Sequence, residues 1–145
     1  MIHDVVVTPL QQIADQRGKV MHMLRSDAVG FAGFGEIYFS CVFAGAVKAW
    51  HLHRRMVCNY AVPSGQLRLV LYDARADSST RGAIQEIVMG DDRYCLVMIP
   101  PMIWSGFQGL GSGMSILANC ASIPHDPAES ERVDPFGNDI PFKWD

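Results

Sequence analysis

His51 and His53 are the residues whose type and spacing point most directly to chemistry. They stand in the run Gly45-Ala-Val-Lys48-Ala-Trp50-His51-Leu52-His53. Residues two apart on a β-strand face the same way, so this spacing predicts two imidazoles side by side on one sheet face. Imidazole titrates near neutral pH and is the commonest metal ligand. The pair therefore suits proton transfer or metal binding. In the metal reading the ligands would be His51, His53 and Cys58, a set that zinc, copper or iron accepts.

Gly45 opens this segment, and Pro63-Ser64-Gly65 closes it as a turn. Everything else reads as scaffold for that face. Residues 36–43 (EIYFSCVF) are rich in aromatic and β-branched side chains and predict a strand. Residues 46–53, 56–62, 83–89, 94–99 and 114–121 predict further strands, with weaker ones at 5–7 and 19–24. Residues 66–73 (QLRLVLYD) alternate, with Leu67, Leu69 and Leu71 on one face. Residues 73–82 read as a polar loop and 104–113 as a Gly-rich irregular segment. From residue 122 four prolines and several acidic groups predict an extended tail packed on the body, with Phe136, Phe142 and Trp144 as anchors. No stretch of ten residues carries a clean helical period, so the expectation is an all-β sandwich or barrel.

The chain has 145 residues, which predicts one domain spanning 1–145. The net charge of -3 and the absence of a basic run argue against nucleic acid as a partner. No apolar stretch approaches the ~20 residues of a membrane span, and the first residues lack a signal-peptide pattern. The cysteines, Cys41, Cys58, Cys95 and Cys120, lie in strand-like runs without a CxxC pair. They predict buried free thiols in a reducing cytoplasm.

The spacing Gly45-x5-His51-x-His53-x4-Cys58-x6-Gly65 resembles the first motif of the cupin superfamily. Pro100, Met102 and Ser105 fall at the spacing of its second motif. Lys48-Ala-Trp-His51 looks like the Arg-Gly-Leu-His of the dTDP-4-dehydrorhamnose 3,5-epimerase family, metal-free cupins of nucleotide-sugar biosynthesis. Asp15-x-Arg17-Gly18, Asp73-x-Arg75-x-x-Ser78-x-Thr80, Ile99-Pro100-Pro101-x-x-Trp104-Ser105-Gly106-Phe107 and Asp134-Pro135 resemble further motifs of that family, in the same order. The chain is similar to that family over most of its length.

The resemblance implies a cupin jelly roll, a homodimer in which an N-terminal strand crosses to the partner, and no cofactor. It implies a nucleoside-diphosphate 4-keto-6-deoxy sugar as substrate. His51 would be the base that removes a proton beside the ketone, and Asp134 would orient it. His53 would join the chemistry, as the His-x-His pair does in related ketoisomerases. Lys48 and Arg17 would hold the diphosphate, with Tyr38, Tyr60 and Ser105 as further substrate contacts. A neutral imidazole is matched to proton abstraction at neutral pH, and a cation beside it would stabilise the enolate. Cys58 stands where the family has a Lys, Ser105 where it has a His, and residues 116–120 lack its acid Tyr. Epimerisation at one carbon, or ketoisomerisation, needs less machinery than full 3,5-epimerisation. The competing expectations are a metal-dependent cupin and a binding module without turnover.

Overall fold

The computed structural model describes residues 1–145. Twelve strands form: β1 (Val6–Pro9), β2 (Gln12–Asp15), β3 (Gly18–Met21), β4 (Glu36–Val42), β5 (Val47–His53), β6 (Cys58–Ser64), β7 (Gln66–Asp73), β8 (Ile84–Gly90), β9 (Cys95–Ile99), β10 (Ile103–Gly109), β11 (Ser115–Ala121) and β12 (Ser130–Arg132). Two five-stranded sheets, ordered β1-β9-β6-β11-β4 and β12-β5-β10-β7-β8, enclose the core. This is the cupin jelly roll. No helix is long and apolar enough to cross a membrane.

The alternation read in β7 sets the inner face of the second sheet. Leu67, Leu69 and Leu71 are fully buried and meet Val42, Val62, Val97 and Leu117 of the first sheet. At ~1.5–3 kcal/mol for each fully buried aliphatic side chain, this cluster is the main cohesive term. Gly65, at φ +84°, makes the turn between β6 and β7, a conformation that favours glycine.

Trp50 of β5, Val70 of β7 and Trp104 of β10 face outward from the second sheet, and there the tail covers them. Trp50 and Val70 are wholly buried under Trp144, Phe142, Ile140 and Val133. The ring centroids of Trp50 and Trp144 lie 5.2 Å apart. Arg68 Nη2 donates to Gln108 Oε1 at 2.6 Å and pairs with Asp145. Of the expected anchors Phe142 and Trp144 pack here, whereas Phe136 is exposed.

Three expectations need correction. Residues 104–113, read as irregular, contain β10, which pairs with both β5 and β7. Its glycines permit close approach: a Cβ on Gly106 would lie 2.4 Å from Ala49 Cβ, and one on Gly109 2.3 Å from Phe43 O. The tail is not wholly extended, because a short 3-10 turn (Pro127–Glu129) precedes β12. The cysteines are all free, but only Cys58 is buried and Cys41 is exposed.

The Asp73-x-Arg75-x-x-Ser78-x-Thr80 motif is a structural clasp. Asp73 is fully buried. Its carboxylate accepts from Arg75 Nε at 2.9 Å, Ser78 Oγ at 2.6 Å and Thr80 Oγ1 at 2.7 Å. Burial pushes its pKa up, but these donors outweigh burial and hold it well below the carboxylate range. Arg75 Nη2 also reaches His3 O at 2.8 Å, tying the N-terminal segment to the loop.

Candidate active site

The strand β5 delivers Lys48, His51 and His53 into a cavity of about 150 Å³ between the two sheets. Tyr38 and Ser40 enter from β4, Tyr60 from β6, and Arg132 from β12. The first-sheet residues therefore face the imidazoles across the space. Lys48 Nζ donates to Ser40 Oγ at 3.0 Å, joining the sheets at the cavity's edge.

His51 is half-buried, and no hydrogen bond joins its ring to another side chain. Its pKa falls to about 4. Burial is the main cause, followed by the charges of Arg132, His53 and Lys48. The ring is neutral at neutral pH. Arg132 pairs with no carboxylate and stands opposite His51 in the β12–β5 register. An unpaired guanidinium beside a cavity is suited to an anion.

Tyr38 accepts a hydrogen bond from Asn119 Nδ2 at 2.9 Å. That leaves its own O–H free to donate. Burial raises its pKa, so the phenol stays protonated. Tyr60 is 5% exposed, and burial pushes it well above its ordinary value, with the neighbouring Ser105 hydroxyl pulling the other way. Ser105 lies on β10 opposite His51 and is itself buried, a support behind the cavity.

Two expected site residues lie elsewhere. Asp134 does not meet His51. It is exposed and spends its carboxylate on Phe136 N, at 2.8 Å, in the turn before Pro135. The reason is register: β12 sets Arg132 against His51 and ends before Asp134 is reached. Arg17 sits on the β2–β3 hairpin, exposed and paired with Asp15 at 2.6 Å, outside the cavity of its own chain.

The carboxylate that does meet an imidazole of the cavity is Glu129, which is buried and pairs with His53 Nδ1. Sequence reasoning missed Glu129 and Arg132 because the tail read as extended. The spacing Ser130-x-Arg132, two residues apart like the histidines, was the available sign. No three His, Cys, Asp or Glu side chains are grouped so as to hold a metal ion. Cys58 is buried in β6, and burial drives its thiol up to about 12.

The same architecture recurs in known proteins. A dTDP sugar isomerase from Desulfovibrio desulfuricans G20 superposes with a TM-score of 0.96 at 43% identity, over 99% of this chain and 92% of that one. The probable low-salt glycan biosynthesis epimerase Agl13 of Haloferax volcanii is 35% identical, over 91% of this chain and 87% of its own length. The spore coat polysaccharide biosynthesis protein SpsL of Bacillus subtilis is 30% identical, over 99% of this chain and 97% of its own. The family model described as dTDP-4-dehydrorhamnose 3,5-epimerase matches residues 1–145. Over its whole length, then, the chain belongs to the dTDP-4-dehydrorhamnose 3,5-epimerase family, isomerase-class enzymes of nucleotide sugars.

Proposed function

We propose that the protein epimerises or isomerises a nucleoside-diphosphate 4-keto-6-deoxy sugar by removing a proton from a carbon beside the ketone. The observation that carries this reading is the neutral His51, set among Lys48 and Arg132 and facing a protonated Tyr38 across the cavity. His51 takes the proton. Arg132 or Lys48 stabilises the enolate oxygen, supplying the cation that Cys58 cannot. Tyr38, on the opposite sheet, returns a proton to the other face of the carbon. It occupies the β4 position paired with Asn119, beside the strand in which the family's Tyr is absent.

Size supports a division of the substrate between the cavity and its outside. The cavity, about 150 Å³, is smaller than the roughly 300–1,000 Å³ of pockets that bury a whole drug-sized ligand. It encloses the sugar, and the nucleoside diphosphate lies outside. Arg17 serves that outer part in a homodimer. The β2–β3 hairpin is a separate two-stranded sheet, and β4 is an open edge with Ile37 and Phe39 exposed and Phe43 exposed just past its end. Exposed apolar surface on an unpaired edge favours pairing with a second chain. A partner's hairpin laid along β4 would bring the partner's counterpart of Arg17 towards this cavity. The solution mass is expected to be twice the 16.0 kDa of one chain, and Phe39→Asp is expected to halve it in light scattering. Four free cysteines fit a reducing compartment, and we place the protein in the cytoplasm.

The test is proton exchange in heavy water with dTDP- or GDP-4-keto-6-deoxy sugars, followed by NMR. Deuterium is expected at one or both carbons flanking the ketone. In Tyr38→Phe, exchange is expected to persist while inverted product falls at least about tenfold, since removing a general acid typically costs ~10²–10⁴. Absence of exchange with every sugar nucleotide would overturn the reading.

A further inference from the structure

Glu129 has no role in the reaction as described so far, yet it is 3% exposed and lies directly behind an imidazole of the cavity. It ends the Pro127–Glu129 turn, which Asp126 caps by accepting from Ala128 N at 3.0 Å. One of its oxygens meets His53 Nδ1. The other accepts from Arg55 N at 3.1 Å and Met56 N at 3.2 Å. Burial raises its pKa, but the His53 and backbone donors outweigh that and keep it a carboxylate.

A carboxylate can only accept. Its partner Nδ1 must therefore carry the proton, which leaves Nε2 of neutral His53 with a free lone pair. His53 also lines the cavity. The two imidazoles of β5 are thus unequal. His51 has the cations Arg132 and Lys48 beside it, whereas His53 has the buried Glu129 carboxylate against its Nδ1.

Given the enolising chemistry proposed above and the expectation that His53 joins it, we propose that Glu129 is the positioning residue that sets the His53 tautomer for proton transfer at this site. In this step His53 Nε2 takes a proton from a carbon beside the ketone. The C–H electron pair passes into the enolate, and the imidazolium stays bonded to Glu129. The proton then returns to carbon or exchanges with water, and no other reactant is consumed.

Glu129→Gln tests this with little change of shape. The Gln oxygen still accepts from the Arg55 and Met56 amides, but its NH₂ now donates to Nδ1. The His53 proton moves to Nε2, and the ring presents N–H to the cavity where it had a lone pair. In the heavy-water assay, kcat for exchange is expected to fall at least about 100-fold at one or both carbons, a modest fraction of the ~10⁴ seen when a triad imidazole is held in the wrong tautomer. KM is expected to stay within about threefold, the mark of an interaction made in the transition state, and ¹⁵N shifts of the His53 ring should report the new tautomer. His53→Gln keeps a donor against Glu129 and so preserves the turn, and it is expected to show the same loss. Exchange at wild-type rates in either folded variant overturns the proposal. Absence of exchange in the wild type would instead overturn the enolising reading, and this inference with it.

Discussion

His51→Ala is expected to lose at least about 10³ in kcat/KM, from the ~10²–10⁴ that a positioned base contributes, while the fold survives. The side chain is half-buried and makes no hydrogen bond to another side chain, so its removal leaves no buried polar partner unsatisfied. The loss is read as deuterium entry beside the ketone, with circular dichroism and a thermal melt as the control for folding. Full activity in the folded variant would remove His51 from the mechanism. The wild-type pH profile gives a second check. Because the free imidazole titrates near 4, kcat/KM should stay level from neutrality down to about pH 5 and fall only below that. The anionic substrate offsets Arg132 and Lys48, so the acid limb of kcat should lie at higher pH than that of kcat/KM.

The largest expected change in stability comes from Asp73→Asn. Asp73 gathers Arg75, Ser78 and Thr80 at a fully buried point, and Arg75 carries the connection on to His3. Removing one partner of a buried ion pair typically costs ~3–5 kcal/mol, and the lower end is expected because the Arg75 side chain is 20% exposed. Asp73 has its folded pKa depressed. Its contribution is therefore present in full above the unfolded value of ~3.9 and is lost as pH falls through that value and below. Urea midpoints should differ widely between wild type and variant at pH 7 and converge towards pH 2. An equal gap at both values would show that the carboxylate's charge is not what stabilises the clasp.

The second sheet's inner face was readable because alternation and burial coincide: Leu67, Leu69 and Leu71 fill the core as their spacing requires. His51-x-His53 was readable for the same reason, since both face the cavity. The segment 104–113 was not, because glycine is read as loop wherever it occurs. Gly106 and Gly109 are there to admit Ala49, Trp144 and the Phe43 carbonyl, contacts between residues far apart in sequence. Asp134 was misplaced for a related reason. A motif fixes order along the chain, whereas the partner of His51 is fixed by the β12–β5 register, which selected Arg132. Tyr38 was named, but only the pairing of β4 with β11 puts it beside Asn119 and across from the histidines.

The contribution of the chain's last quarter to the cavity bears on how the protein is made. Glu129 and Arg132 come from residues that follow all eleven preceding strands, and the outer cover over Trp50 comes later still. Synthesis runs from the N-terminus, so the core strands leave the ribosome before the groups that back His53 and face His51. A nascent chain can thus assemble most of its two sheets while its cavity still lacks the guanidinium and the buried carboxylate. A chain shortened before residue 127 would lack Glu129, Arg132 and the cover over Trp50, and it is expected to show no exchange in the heavy-water assay.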